Sequence, residues 1–348
     1  MNSPNTFEHR LVEALQPVRM FATAAALTHL FDSGLYDELA QPQDVARLVA
    51  NGRDAIRVIT LLRFLVNEGY LREDGERFGL TDKGRSLAEF RGWYTMLVGG
   101  YGTTFLQLGD ALRAGSAPVT RDAQKVGIGS CAISHYDAIP LTRRLMARTS
   151  APCRRLLDLG CGNALYLVEF CRECPEIVAA WGVEPDERGH AAAVEHVRAS
   201  GLAHRIELRC AGALEFLDSA FDGTPDLTVL GFVLHEILGQ SGEDAVVAFL
   251  HRLITRFPDL HIIVIEVDDQ LTNPHVMAEG LGLAYYNAYY LLHPFTRQRL
   301  ASPAFWEDVF ARAGLDIVAR DTTAPEVDST GLEIGYLLRR HQPSTGRF

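Results

Sequence analysis

The stretch "RRLLDLGCGNALYLVEFCREC", residues 154–174, runs from a short apolar segment through an acidic residue and two glycines into an apolar, helix-like segment. A strand that leads directly into a helix is the unit from which parallel sheets are built. Further strand-like segments occupy residues 179–185, 205–210, 226–233, 260–267, 316–322 and 332–340. The sequence therefore predicts an α/β fold, a Rossmann-like and mostly parallel sheet of seven strands with helices on both faces.

The N-terminal part of the chain has a different pattern. Apolar residues recur at spacings of three and four in residues 10–39 and 55–71, which is typical of amphipathic helices. Asp74 and Gly75 separate two short strand-like pieces, a strong hairpin signal. We expect an all-helical, winged-helix-like domain over residues 1–115 and a second domain over 116–348 that carries an insert near residues 270–300.

Charge and hydropathy exclude two classes of function. The 348 residues carry a formal net charge of -11, and Glu73, Asp74 and Glu76 make the predicted hairpin acidic. Nucleic-acid binding needs a basic face, so we expect no nucleic-acid partner and instead a dimerisation role for the N-terminal domain. No apolar run approaches the roughly 20 residues of a membrane helix, and no signal peptide is evident, so a cytoplasmic protein without a membrane partner is expected.

The loop after the first predicted strand has the residues of a nucleotide site. Asp158, Gly160 and Gly162 allow a tight turn and a close approach of the backbone to a ligand at the carboxyl end of the strand. Glu184 ends the second strand, where a carboxylate can accept both hydroxyls of a ribose. The third glycine of a dinucleotide-binding GxGxxG motif is absent, since that position is Leu165.

This pattern resembles the class I S-adenosylmethionine-dependent methyltransferases over about residues 150–340. The resemblance implies S-adenosylmethionine as cofactor, held by the residues just named in the glycine-rich loop and by Glu184. After the third strand the family often has an aspartate near the adenine, and Gly212 and Ala213 stand at that place here. Phe232, after the fourth strand, is a further expected cofactor contact.

His235 and Glu236 follow the fourth predicted strand, and two interpretations of this pair are open. The N-terminal region resembles the dimerisation domain of small-molecule O-methyltransferases, which implies a homodimer and a His235 that acts as general base. Alternatively, His235 and Glu236 are two ligands of a metal site with two histidines and one carboxylate. An HExxH motif is excluded because residue 239 is glycine, and His293 is then the best third ligand.

The second interpretation accords with a resemblance to the 2-oxo acid C-methyltransferases. In that family a histidine of a histidine and acidic pair and a second histidine on a late insert hold a metal ion, which implies this role for His235 with Glu236 and for His293. The resemblance implies C-methylation of the β-carbon of a 2-oxo acid through a metal-stabilised enolate, with 5-guanidino-2-oxopentanoate as the expected substrate. The metal is expected to be divalent or ferric, with iron and zinc as first candidates.

The same resemblance implies the residues that line the substrate pocket. Trp93 matches a pocket tryptophan of the family, and Arg121 and Asp122 match its Arg-Asp pair. An arginine fork suits the carboxylate of a 2-oxo acid, and Asp122 is one candidate for the proton acceptor. Tyr289 belongs to a run of aromatic residues beside His293 and is expected to contact the substrate. O-methyl transfer to a small hydroxylated metabolite, with His235 as base, remains the alternative.

Overall fold

The computed structural model describes residues 6–342, and the chain divides into two compact units, one ending at Gly100 and the other beginning at Tyr101. The boundary expected between residues 115 and 116 falls within the second unit. No helix within residues 6–342 is both long and apolar enough to cross a lipid bilayer.

The first unit combines helices with a small antiparallel sheet. Its helices are α1 (Phe7–Ala14), α2 (Gln16–Asp32), α3 (Leu35–Glu38), α4 (Val45–Leu48), α5 (Ala55–Asn67), α6 (Asp82–Arg85) and α7 (Arg91–Trp93), with a 3-10 turn at Ala88–Phe90 and a π-helix at Tyr94–Gly100. The strands are β1 (Gln43–Asp44), β2 (Leu71–Asp74) and β3 (Arg77–Leu80), in the order β1-β3-β2. The predicted hairpin is confirmed: β2 and β3 pair antiparallel around Gly75, whose φ is +60°.

The second unit alternates strands and helices. Its strands are β4 (Arg155–Leu159), β5 (Ala179–Glu184), β6 (Ile206–Cys210), β7 (Leu227–Gly231), β8 (His261–Val267), β9 (Leu315–Thr322) and β10 (Glu333–Arg340). Its helices are α8 (Tyr101–Ala111), α9 (Ala123–Ser134), α10 (Ala138–Met146), α11 (Leu165–Glu173), α12 (Glu187–Ser200), α13 (Ala213–Asp218), α14 (Leu234–Ser241), α15 (Glu243–Arg256), α16 (Pro274–Met277), α17 (Asn287–Leu292) and α18 (Pro303–Arg312).

The seven strands form one sheet in the order β6-β5-β4-β7-β8-β10-β9, and all lie where the sequence predicts them. The first five are parallel, whereas β10 pairs antiparallel with both β8 and β9. Chain order reverses between β4 and β7, and in open α/β sheets such a reversal leaves a ligand-binding crevice at the carboxyl ends of the strands.

Strand β8 lies in the middle of the sheet, and its residues are buried on both faces. Ile262 and Val264 pack with Phe249 on one face, while Ile263 and Ile265 belong to the core on the other. A strand covered on both faces is expected to be a continuous apolar run. One residue breaks that run in β8: Glu266 is only 1% exposed.

The insert between β8 and α18 contains α16, a π-helix at Gly282–Tyr286, α17 and a 3-10 turn at Pro294–Thr296. His293 follows α17 directly. The insert contacts α14, because the backbone N–H of Arg299 donates to the carbonyl of His235 at 3.1 Å.

Candidate active site

The glycine-rich loop after β4 and the end of β5 are joined by hydrogen bonds. Gly160 and Gly162 both have positive φ, +84° and +53°, a conformation that favours glycine. The backbone N–H of Gly162 donates to Glu184 Oε2 at 2.9 Å, and Glu184 Oε1 accepts from the N–H of Asp186 at 2.9 Å. The loop and the predicted ribose-binding carboxylate therefore meet at one edge of the sheet.

Asp158 lies beneath this loop and is 3% exposed. Among the described residues, its Oδ2 has no hydrogen-bond partner. Burial, together with the charge of Glu184, raises the pKa of Asp158 to about 8. A buried carboxylate with an unsatisfied oxygen favours a cationic or hydrogen-bond-donating ligand next to it.

The other three expected cofactor contacts lie at the same end of the sheet. Gly212 and Ala213 begin α13 just after β6, and the N–H of Gly212 donates to Glu215 at 3.3 Å. Phe232 follows β7 with a φ of +59°, and its N–H donates to the carbonyl of Ile265 at 2.9 Å. Their contact with a cofactor stays a prediction.

His235 is held at the start of α14 by a carboxylate from β8. Glu266 Oε1 accepts from the backbone N–H groups of Leu234 and His235 at 2.8 and 3.1 Å, and Oε2 lies 2.7 Å from His235 Nδ1. Burial opposes protonation of the 2% exposed imidazole, but the charge and hydrogen bond of Glu266 outweigh burial and raise the pKa of His235. Since a carboxylate only accepts, Nδ1 carries the ring proton and Nε2 has the lone pair in the neutral form.

His293 lies beside His235, and their ring centroids are 5.3 Å apart. Its Nδ1 is 2.6 Å from the carbonyl of Tyr289, so Nδ1 donates and Nε2 again has the lone pair in the neutral ring. Burial, followed by the charge of His235, lowers the pKa of His293 well below its ordinary value. The Tyr289 ring lies 3.8 Å from the His293 ring, so the structure brings three of the predicted residues together.

The Glu236 carboxylate is bound in a polar network. Arg121 Nη2 forms an ion pair with Oε1, which also accepts from Gln298 Nε2 at 2.8 Å, and Oε2 accepts from Gln240 Nε2 at 3.0 Å. Arg121 Nη1 donates to the Tyr101 hydroxyl at 3.0 Å. Arg121 and Glu236, which the sequence assigns to different roles, are therefore direct partners.

No three His, Cys, Asp or Glu side chains within residues 6–342 are grouped as ligands of one metal ion. His235 and His293 are adjacent, but the Glu236 carboxylate is directed to Arg121 and two glutamine amides. The two imidazoles, each fixed through Nδ1 by a carboxylate or a carbonyl, nevertheless have the second-shell support typical of metal-binding histidines. These donors fit a transition-metal ion, and the ion itself stays a proposal.

Asp122 and Trp93 are the remaining predicted site residues. Asp122 caps α9, where its Oδ1 accepts from the N–H of Lys125 at 3.1 Å. It also lines a cavity together with Arg121, Asp186 and Arg188, close to the residues that follow Glu184. Trp93 lies in α7 of the first unit, and its role in substrate binding stays a prediction.

Three residues of this site are not indicated by the sequence pattern: Tyr101, Glu266 and Gln298. Glu266 could have been found, because a single carboxylate at the end of an apolar strand needs a partner if it is buried. Gln298 and Tyr101 have no such signal. The Tyr101 hydroxyl donates to Gln298 Oε1 at 3.2 Å, although the two residues are 197 positions apart in the chain.

Comparison with solved structures identifies the fold of the protein. An O-methyltransferase family protein from Burkholderia thailandensis superposes with a TM-score of 0.67 over 96% of this chain and 99% of its own, at 16% identity. The mitomycin 7-O-methyltransferase superposes with a TM-score of 0.66 over 96% of this chain and 97% of its own, at 18% identity. The predicted fold is confirmed as that of the class I S-adenosylmethionine-dependent methyltransferases. No family model matches the sequence.

A curated relative defines the family. 2-Ketoarginine methyltransferase from Streptomyces arginensis is 45% identical over 345 residues, which cover 97% of this chain and 98% of the relative. The chain is a methyltransferase and belongs to the family of that enzyme.

Proposed function

We propose that this methyltransferase transfers the methyl group of S-adenosylmethionine to the β-carbon of a 2-oxo acid, and that its substrate is 2-ketoarginine, 5-guanidino-2-oxopentanoate. The name of the 45% identical relative supports this substrate. The loop of Asp158, Gly160 and Gly162 with Glu184 would hold the cofactor. Glu184 would accept from the ribose hydroxyls in addition to the loop N–H that it binds already.

One observation favours C-methylation: the second buried imidazole, His293, next to His235. An O-methyltransferase needs one base, and the His235–Glu266 pair would be sufficient for that. A second histidine, whose ring centroid lies 5.3 Å from that of His235, has a purpose if both rings hold a metal ion. An ion held by His235 and His293 would supply Lewis-acid stabilisation of charge on the 2-oxo acid carbonyl.

The residues around the histidines would orient the substrate. Arg121 presents a planar guanidinium that is suited to a carboxylate, and in the described site it is bound to Glu236 and Tyr101. Removal of a proton from the β-carbon gives the enolate. That carbon then forms a bond to the methyl carbon as the bond between methyl and sulfur breaks, which leaves S-adenosylhomocysteine. Asp122 is a carboxylate available to take the proton.

A guanidino substrate also needs a partner for its positive charge. Tyr285 lies 5.6 Å from Tyr289 between ring centroids, and burial, followed by the charges of Asp137 and Glu333, raises the Tyr285 pKa well above its ordinary value. Glu333 is 3% exposed, whereas Asp137 is only partly buried. Burial raises the pKa of both carboxyls. A guanidinium next to them would stabilise their ionised forms, which supports binding of the cationic substrate tail near Tyr285, Asp137 and Glu333.

The alternative is O-methyl transfer to a small hydroxylated metabolite. It is favoured by the His235–Glu266 pair, in which the raised pKa of His235 suits a general base. The two functions are separated by incubation with S-adenosylmethionine and a panel of 2-oxo acids and phenols, followed by mass spectrometry. We expect methylated product from 2-ketoarginine and none from the phenols. The reverse result would establish the alternative.

We further propose that the protein is a homodimer through its first unit. Large apolar side chains of α1 and α2 are exposed, including Phe7 at 72%, Val18 at 63% and Met20 at 60%. An apolar surface of this kind marks an interaction site more often than a solvated face. Light scattering at micromolar concentration should give the mass of two chains, and the mass of one chain would contradict the proposal.

A further inference from the structure

Gln298 occupies the centre of the polar network around His235 and is 5% exposed. Its amide nitrogen donates to Glu236 Oε1 at 2.8 Å and lies 3.2 Å from His235 Nε2. Its amide oxygen accepts from the Tyr101 hydroxyl at 3.2 Å and from the Thr296 hydroxyl at 2.7 Å. The side chain thus faces the one nitrogen of His235 that has a lone pair.

The two ends of this amide have partners of different chemistry. His235 Nε2 and Glu236 Oε1 can only accept, so they require the amide nitrogen. The hydroxyls of Tyr101 and Thr296 can donate or accept. If the amide turned by half a rotation about its last side-chain bond, its nitrogen would donate to both hydroxyl oxygens. Thr296 could still donate to the carbonyl of Leu292 at 3.1 Å, whereas the Tyr101 hydroxyl would lose its described acceptor. His235 and Glu236 would each lose a donor. A cation bound between these two residues would replace that donor.

The distances suit such an exchange. Two ligand atoms about 2.1 Å from one metal ion lie roughly 3.0–3.4 Å apart in tetrahedral or octahedral geometry. The end of the Gln298 side chain lies 3.2 Å from His235 Nε2 and 2.8 Å from Glu236 Oε1. We propose that Gln298 is a metal ligand of this site, whose amide turns its oxygen toward the ion that His235, His293 and Glu236 bind.

The backbone places Gln298 at this distance by a close approach of two segments. A Cβ atom on Gly239 of α14 would lie 2.3 Å from the carbonyl oxygen of Arg297 and 2.7 Å from the Cα of Gln298. Arg297 has a φ of +58°, which is uncommon for a residue other than glycine. The N–H of Gln298 donates to the carbonyl of His293 at 3.0 Å. The Gln298 segment can lie against α14 because residue 239 is glycine and has no side chain. The same glycine is the reason that the sequence has no HExxH motif.

The proposal rests on the metal site of the proposed function, and metal binding by the purified protein tests both. Co²⁺ and Zn²⁺ are titrated into metal-depleted wild type and variants by calorimetry, with the visible absorption of Co²⁺ as a second readout. Gln298→Ala and Gln298→Met remove the amide oxygen, and we expect about 10- to 100-fold weaker binding. Gln298→Glu keeps an oxygen at the same position and should restore affinity to within about tenfold of wild type.

Gln270→Ala is the matched control, because Gln270 lies in the same insert and donates to Asp268, but it contacts none of the proposed ligands in the described hydrogen bonds. It should bind Co²⁺ like wild type. The thermal unfolding midpoint of each variant shows whether it is folded. If Gln298→Ala and Gln298→Met bind Co²⁺ with wild-type affinity, Gln298 is not a metal ligand. If they bind Co²⁺ more tightly than wild type, the Gln298 amide competes with the metal ion for His235 Nε2, which also overturns the ligand role. A wild type that binds no metal but still methylates 2-ketoarginine would overturn both the metal site and this inference.

Discussion

Glu266→Gln tests how the site fixes His235. In the wild type, Glu266 accepts two backbone N–H groups at 2.8 and 3.1 Å and lies 2.7 Å from His235 Nδ1. A glutamine oxygen can keep the two backbone bonds, but its NH₂ group then faces the Nδ1 proton. The imidazole must move its proton to Nε2 to avoid this conflict, which removes the lone pair that either function requires.

Two effects set the magnitude. Loss of a buried hydrogen bond to a charged group costs roughly 1.5–3 kcal/mol of stability, so the unfolding midpoint should fall. The wrong histidine tautomer lowers kcat by up to about 10,000-fold where a carboxylate–histidine pair performs catalysis, and we expect a loss of at least about 100-fold here.

The assay combines the rate of methyl transfer, followed by mass spectrometry, with ¹⁵N NMR of histidine-labelled protein, which reports the tautomer directly. Asp268→Asn is the control: Asp268 lies just after the same strand, but its carboxylate accepts from Gln270 at 2.9 Å. The reasoning is refuted if Glu266→Gln keeps the wild-type rate and the wild-type ¹⁵N shifts of His235.

Four further variants test separate parts of the account. Glu184→Ala should weaken S-adenosylmethionine binding by roughly 2–3 kcal/mol through loss of a charged acceptor, and unchanged affinity by calorimetry would disprove its ribose role. Asp137→Asn should raise KM for 2-ketoarginine by about tenfold or more and leave KM for neutral 2-oxo acids unchanged, and an equal rise for both would remove Asp137 from guanidinium recognition. The pKa of Asp158 is raised to about 8 in the folded protein, whereas that of an unfolded aspartate is about 4. Asp158 therefore has no destabilising effect below about pH 4, and its effect grows as the pH rises toward 8. Asp158→Asn should stabilise the ligand-free protein more at pH 8 than at pH 5, and an equal change of the unfolding midpoint at both pH values would contradict this. His293→Ala should weaken metal binding by about 10- to 100-fold and lower activity with it, and excess metal should restore part of the activity. Full activity of the wild type after verified metal removal would favour His235 as a general base without a metal.

The sheet could be predicted from sequence because its pattern is local. Strands β4, β5, β7 and β8 are short, mainly apolar runs of a length typical of buried strands, whereas β6 (IELRC) alternates apolar and charged residues. The turn at Gly160 and Gly162 needs residues that tolerate positive φ. The pairing of Glu184 with the loop also follows from topology, since adjacent parallel strands end at the same edge.

The details of the active site could not be predicted because they depend on contacts between distant segments. The sequence brings His235 and Glu236 together as neighbours, but it does not show that Glu266 binds His235 Nδ1 or that Arg121 binds the Glu236 carboxylate. Gln298 lies 63 positions from His235 and forms its contact only because α14 has no side chain at Gly239. Only the folded backbone shows such an arrangement.

The central claim is methylation at carbon, and the position of the new methyl group tests it most directly. Incubation of the enzyme with 2-ketoarginine and S-adenosylmethionine that carries a ¹³C-labelled methyl group gives a product whose labelled carbon can be assigned by two-dimensional NMR. Methylation at carbon predicts a methyl doublet coupled to the single proton that remains on C3, next to the ketone. A labelled methyl singlet at the chemical shift of a methoxy group would place the methyl on oxygen and contradict the account.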